Sequence, residues 1–115
     1  MRTAEQEQSR REDEELVRRS QAGDSRAFDA LVMKYSPRLY ALMYNMTANH
    51  EDTNDVLQDV WAKAYRSIGG FRGKSKVSTW LHSIATNTTI NFLKKRGNRR
   101  TLSLDDVDSG LFQDK

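Results

Sequence analysis

Apolar residues recur at spacings of three and four along most of this chain, and no segment alternates apolar with polar residues. The clearest run begins at Phe28 and Leu31 and continues in register past Pro37 to Met46. Such spacing puts the apolar side chains on one side of an α-helix, whereas a half-buried strand needs strict alternation. The sequence therefore predicts an all-α fold, a compact bundle of three to four helices.

Charged and capping residues indicate where the first two helices begin. Residues 1–12 are almost entirely polar, so we expect them to be disordered or a frayed helical extension, with a short helix from Asp13. Asp24 or Ser25 is expected to cap the second helix. Because the apolar register survives Pro37, we expect one continuous, kinked helix and not two separate helices.

Two further helices are predicted in the second half of the chain. Asn49 is expected to cap the third helix, which Gly69 and Gly70 end. Ser78 or Thr79 is expected to cap the fourth, although its first turn could equally start one or two residues earlier.

The composition limits the chain to one small domain. It has 115 residues, 37% of them hydrophobic, and we expect a helical domain at 13–100 followed by a linker at 101–115. There is no cysteine, and His50 and His82 are far apart, so neither a metal site nor a cofactor is predicted. Without a long apolar run or a signal peptide, a cytoplasmic protein is expected.

Positive charge is concentrated in one part of the chain, although the net charge is only +3. No Asp or Glu lies between Asp59 and Asp105. The same stretch carries Lys63, Arg66, Arg72, Lys74, Lys76, Lys94, Lys95, Arg96, Arg99 and Arg100. A basic block of this kind is typical of a protein that binds a polyanion such as nucleic acid, while an acidic protein or a membrane surface would also attract it.

The fourth predicted helix has two stripes of side chains. The core-facing stripe consists of Val77, Leu81, Ile84, Ala85, Thr88 and Phe92. The neighbouring polar stripe consists of Trp80, Ser83, Asn87, Asn91 and Lys94. Such groups stack on bases, bond to base edges and contact phosphates, but the stripe is also compatible with an ordinary solvated face. Trp80 has two interpretations, a stacking platform or a half-buried packing residue.

The third predicted helix has an acidic outward ridge, formed by Asp55, Gln58 and Asp59 around Ala62. One interpretation is an ordinary helix surface, with Asp59 paired to Lys63 one turn later. Paired carboxylates also occur in catalytic and magnesium sites. No histidine, phosphate-binding glycine loop or nucleophile motif lies near the ridge, so the sequence does not predict an enzyme.

Two adjacent segments resemble a known family. Residues 55–65 read DVLQDVWAKAY, similar to D-x-x-Q-[ED]-x-[FW]-x-[KR]-[AV]-[WY], and residues 71–87 read FRGKSKVSTWLHSIATN, similar to F-R-G-x-[SA]-x-[FV]-x-T-W-L-[YH]-x-I-A-x-N. Both patterns belong to region 2 of bacterial RNA polymerase sigma factors of the extracytoplasmic function (ECF) type. The resemblance runs from Asp13 to about Arg100.

The resemblance implies a division of roles between two surfaces. The ridge, with Trp61 nearby, matches the family surface that binds the clamp helices of the polymerase β′ subunit. The loop at 72–76 and the next helix match the part that captures the non-template strand of the promoter minus-ten element, and Asn87 matches a base-recognition position. The expected DNA-binding residues are Arg72, Lys74, Ser75, Lys76, Trp80, Ser83, Asn87, Asn91, Lys94, Lys95 and Arg96.

Within this set the sequence predicts different contributions. Lys94, Lys95 and Arg96 are expected to contact phosphates, while Asn87 and Ser75 are the candidates for sequence specificity. Full ECF sigma factors carry a region 4, which this sequence does not reach by Lys115, so we expect either an excised fragment or a natural short form. An anti-sigma protein is a further expected partner. The alternative function is another basic helical module that binds DNA or RNA without RNA polymerase.

Overall fold

Four α-helices follow one another in the part of the chain that the computed structural model describes, residues 3–103, with side chains described to residue 97. They are α1 (Ala4–Gln21), α2 (Ser25–Thr47), α3 (His50–Ser67) and α4 (Val77–Ser103), and a single 3-10 turn spans Ile68–Gly70. Within this range there is no strand, and the predicted all-α bundle is confirmed. No helix in these residues combines the length and apolar character that crossing a bilayer requires.

The first helix extends from Asp13 back to Ala4, so of the two expectations for residues 1–12, disorder or a helical extension, the structure has the helical one. Thr3 caps α1: its hydroxyl accepts a hydrogen bond from the Gln6 backbone N–H at 3.1 Å, and its own N–H donates to Gln6 Oε1 at 2.7 Å. This reciprocal pair satisfies donors that would otherwise be unpaired at the helix start. The polar first half also docks on α2, because Lys34 Nζ donates to Ser9 Oγ at 2.8 Å.

The second helix continues through Pro37 as one element, as its apolar register predicted, while the kink at this proline stays a prediction. Asp24 is the cap: its carboxylate accepts from the backbone N–H groups of Arg26 and Ala27 at 3.0 and 3.3 Å. The helix ends at Thr47, and the next residue, Ala48, adopts a left-handed conformation with φ 56°.

The later helix boundaries agree only in part with the sequence. Asn49 caps α3 as predicted, since its side-chain oxygen accepts from the Asp52 N–H at 2.8 Å. Ser78 and Thr79 do not cap α4, because the helix already begins at Val77. Burial of Val77 in the core holds this first turn in place.

The predicted domain division remains a prediction. Helical backbone runs across both proposed boundaries, from Ala4 through Asp13 and from Arg100 to Ser103. Most of the expected linker, residues 104–115, lies outside the described residues.

The core lies where the apolar stripes of α2, α3 and α4 meet. Its fully enclosed large side chains include Leu31, Leu39, Met43 and Leu81. The core-facing stripe of α4 is as predicted. Val77, Leu81, Ala85 and Thr88 are buried, and Ile84 and Phe92 are half-buried.

A buried polar network joins α1 to α2. Asp13 is buried, and it accepts hydrogen bonds from the Tyr35 hydroxyl and, at 2.7 Å, from Lys34 Nζ. The Arg38 guanidinium lies 5.1 Å from the centre of the Tyr35 ring. Burial, and then the neighbouring Asp13 carboxylate, raises the pKa of the Tyr35 phenol well above its ordinary range.

This raised pKa predicts a loss of stability at alkaline pH. An unfolded chain releases the Tyr35 proton from about pH 10 upwards, whereas the folded chain retains it. The contribution of Tyr35 to the free energy of unfolding is therefore complete below about pH 10, and it declines as the pH rises towards the pKa of Tyr35 in the folded chain. In urea titrations from about pH 9 to 12, the free energy of unfolding should fall less steeply for Tyr35→Phe than for the unmodified chain. Equal slopes would contradict this role of Tyr35.

Candidate functional site

The basic loop between the 3-10 turn and α4 is exposed, but its first end is held in place. Gln21 Nε2 donates to the carbonyl oxygens of Ile68 and Phe71, each at 2.8 Å. The Phe71 ring packs on Trp80 with 5.1 Å between ring centres. Residues 72–76 are all exposed, and Gly73 has φ 73°, a left-handed conformation that suits glycine. The loop therefore extends from a fixed base.

A groove of about 690 Å³ separates this loop from α1. It is lined by residues 71–73 and 75–78, by residues of α1, and by Tyr35 and Arg38 of α2. The volume lies within the range of about 300–1,000 Å³ that is usual for small-molecule sites.

Positive charge dominates the groove because its acids already have partners. Asp13 bonds to Lys34 and Tyr35, and Glu14 pairs with Arg10 at 3.4 Å. Arg72 and Lys76, on the loop, form no ion pair with any described residue. The open charges of the groove are thus cations, which suits an anionic ligand.

A smaller hollow of about 250 Å³ lies between α3 and α4. It is lined by Lys63, Arg66, Ser67, Ile84, Asn87 and Thr88. Lys63 Nζ donates to Thr88 Oγ1 at 3.3 Å, and the Asn87 amide is exposed at the edge. The hollow therefore combines an amide, which both donates and accepts hydrogen bonds, with two cations.

The remaining predicted residues of α4 differ in their surroundings. Ser83, Asn91, Lys94 and Lys95 are exposed. Trp80 is half-buried against Phe71, which agrees with the packing interpretation. Arg96 forms an ion pair with Asp52 of α3, an interaction that the sequence did not predict. The side chains of Arg99 and Arg100 lie outside the described residues.

The acidic ridge of α3 is exposed along its length, at Asp55, Gln58, Asp59 and Ala62. The expected pair between Asp59 and Lys63 is not formed, because Lys63 bonds to Thr88 instead. Within residues 3–97, neither Asp55 nor Asp59 has a cationic partner. Trp61 is half-buried and faces α2, where its Nε1 donates to Ser36 Oγ at 2.9 Å.

Sequence reasoning missed three residues that shape the groove. Gln21, Tyr35 and Arg38 act through contacts with distant parts of the chain, which helical periodicity does not report. A polar Gln at the last position of α1 is common, so nothing in the sequence near Gln21 indicates that it anchors the loop. The sequence analysis also did not identify Tyr65 of α3 as an exposed aromatic residue. It is 62% exposed, and its ring contacts Phe28 edge to face with 5.2 Å between ring centres.

No described group of three or more His, Asp or Glu side chains is arranged to hold a metal ion.

Comparisons with known proteins place the chain in a family. The Sigma-70 region 2 family model matches residues 31–99. The RNA polymerase sigma-H factor of Pseudomonas aeruginosa is 46% identical over 88 residues, which is 76% of this chain and 46% of that protein. The ECF RNA polymerase sigma-E factor of Escherichia coli is 41% identical over 97 residues, 84% of this chain and 49% of that protein. The chain thus spans about half the length of these relatives.

A solved structure is similar in both sequence and fold. It is an NMR structure of an engineered region 2 of sigmaE in complex with GTAAAA, with a TM-score of 0.71 and 40% identity. The alignment covers 76% of this chain and 90% of that one. The family is one of non-enzymatic factors, in line with the sequence analysis. A family model that covers most of the chain, and a structural match at this identity, lead to one conclusion: the chain belongs to the Sigma-70 region 2 family and is of the ECF sigma-factor type.

Proposed function

We propose that this chain acts in transcription initiation, binding core RNA polymerase through α3 and recognising and opening the promoter minus-ten element through the loop and α4. The observation that carries the proposal is the change of charge along α3. Asp55 and Asp59, around the middle of the helix, are exposed and form no ion pair within residues 3–97, while Lys63 and Arg66, nearer its end, line the hollow with Asn87. One helix therefore presents a surface for a cationic protein beside a surface for a polyanion.

The acidic ridge is suited to the β′ clamp helices because neither of its carboxylates forms an ion pair within residues 3–97. An exposed carboxylate without a partner costs little folding free energy, because water solvates it. Its interaction with a cation of a binding partner is then favourable. Gln58 adds an amide that can bond to backbone or side-chain groups of a partner helix. Trp61, half-buried beside Phe28, supplies apolar area at the side of the ridge.

The loop and the groove are suited to holding a single strand. Extruding a base from a duplex costs a few kcal/mol, which stacking, hydrogen bonds and phosphate contacts together can supply. Lys74 and Ser75 at the exposed loop, with Arg72 and Lys76 at the groove, can contact backbone and base edges. The groove is large enough to accept an extruded nucleotide.

The polar stripe of α4 continues this surface away from the loop. Asn87 is at the hollow, and Ser83 and Asn91 are exposed one turn to either side of it. Lys94 and Lys95 follow as phosphate contacts, while Arg96 can use only the donors that Asp52 does not occupy. Trp80 supports this surface from beneath by holding Phe71.

Replacing Gln58 and Asp59 together by Ala should weaken binding to core RNA polymerase by about 10-fold or more, the scale of interface hot spots. Titration of the labelled chain with core polymerase measures the loss. A matched control is the Gln8→Ala, Glu12→Ala double variant, which removes the same two chemical groups from the exposed face of α1. If both double variants bind like the unmodified chain, the ridge is not the interface. If the unmodified chain does not bind, the proposed function is wrong.

Asn87→Ala should lower sequence discrimination. The oligonucleotide is the single-stranded sequence that binds best in a selection from a randomised pool seeded with GTAAAA. For this sequence, Asn87→Ala should lower the binding free energy by about 1–3 kcal/mol, the value of a good base contact. A scrambled oligonucleotide should be barely affected. Fluorescence anisotropy measures both affinities, with Asn45→Ala as the control because Asn45 is an exposed amide on α2. Equal losses on both sequences would remove Asn87 from base recognition.

Lys94→Ala and Lys95→Ala should instead weaken binding to all sequences alike. Each lost phosphate contact should reduce the slope of log affinity against log salt by about 0.7 for a single strand. Anisotropy titrations over a series of salt concentrations measure this slope. Arg11→Ala, which removes an exposed cation from α1, should leave the slope unchanged. A loss confined to one sequence would contradict a role in phosphate contact.

A further inference from the structure

Three aromatic rings stack at the end of the bundle where α2 ends and α3 begins. Tyr40 and Tyr44 lie one turn apart on α2, with their rings nearly parallel and 6.4 Å apart. The His50 ring, on the first residue of α3, stacks against Tyr44 at 4.4 Å and against Tyr40 at 5.8 Å. The Tyr40 hydroxyl and His50 Nδ1 are hydrogen bonded. We call these three side chains the aromatic stack.

The aromatic stack lies outside the hydrophobic core. Both tyrosines are half-buried, His50 is exposed, and none of the three belongs to the core cluster. The parts of these rings that remain exposed are available to a partner, which would gain apolar and stacking contacts by covering them.

The surroundings of the stack are acidic. From Leu39 to Ala62 the sequence has no Lys or Arg. The same stretch carries Glu51, Asp52, Asp55 and Asp59, of which Asp52 is already paired with Arg96. Aromatic faces beside carboxylates attract ammonium and guanidinium groups, and the planar guanidinium also stacks on rings.

The stack is also continuous with the acidic ridge. A helix rises about 1.5 Å per residue, so His50 and Asp55 are separated by less than two turns of α3. Asn54 is exposed and lies one turn after His50 and one turn before Gln58, so it lies between the aromatic stack and the acidic ridge. A partner helix lying along the ridge would therefore reach the stack.

We propose that the aromatic stack receives an Arg or Lys side chain of the same polymerase surface that binds the acidic ridge. The proposal rests on the proposed function and extends that interface to the junction of α2 and α3. A nucleobase would also stack on aromatic rings, but its phosphates would meet Glu51 and Asp55 at this end of the molecule.

The test compares two double variants of this chain in titrations with core RNA polymerase. Tyr40→Leu, Tyr44→Leu removes the ring faces and should weaken binding by about 3- to 30-fold, the range of a cation–π contact. Tyr40→Phe, Tyr44→Phe keeps the faces and should bind within about twofold of the unmodified chain. Circular dichroism and thermal unfolding establish that both variants are folded.

A second pair of variants leaves the stack intact, and so it remains informative if the leucine variant fails to fold. Asn54→Lys puts a cation beside the stack and should weaken polymerase binding several-fold, more strongly at low salt. Asn54→Gln should bind like the unmodified chain.

The possible outcomes separate the two proposals. If the unmodified chain binds polymerase, and neither the leucine double variant nor Asn54→Lys binds more weakly, the proposed role of the stack is wrong. The proposed function would stand in that case. Equal losses in the leucine and phenylalanine variants would also overturn the role of the stack, because the ring faces would not be what matters. Loss of oligonucleotide binding with unchanged polymerase binding would assign the stack to a nucleobase and overturn the proposal. An unmodified chain that does not bind polymerase would overturn both proposals.

Discussion

Packing of one stripe of α4 against the other helices decides which side chains of that helix remain available to a ligand. With Val77, Leu81 and Ala85 buried, the rotation of about 100° per residue turns Asn87 and Asn91 outwards. The same packing brings Asn87 beside Lys63 and Arg66 of α3. The site therefore depends on the core, because a rotation of α4 that exposed Leu81 would also take Asn87 away from its two cations.

Ion pairs and hydrogen bonds within the chain decide which charges are left for partners. Asp13 and Asp52 are occupied by Lys34 and Arg96, while Lys63 bonds to Thr88 and leaves Asp59 open. The surface that remains is more sharply divided by charge than the sequence alone indicates. This division allows a domain of modest net charge to offer different surfaces to a protein and to a nucleic acid.

Local signals in the sequence predicted the parts of the fold that depend on neighbouring residues. The caps Asp24 and Asn49 and the stripes of α4 follow from short spacings, and the structure has them. For residues 1–12 the polar composition left disorder and a frayed helical extension open, and the structure has helix from Ala4, with a capping box of Thr3 and Gln6 that the sequence analysis did not identify. The groove and the Arg96 pair join residues far apart in the chain, so no local pattern predicts them.

The side chains of the basic loop contribute little to the stability of the fold, because the loop is anchored only at its base. Gln21 and the contact of Phe71 with Trp80 hold the base of the loop, whereas residues 72–76 bury no side chain. Apart from Gly73, whose left-handed backbone disfavours other residues, these positions can change at little cost in folding free energy. The helical bundle therefore tolerates changes in the charge and shape of this loop, so the loop can diverge in chemistry while the fold stays the same.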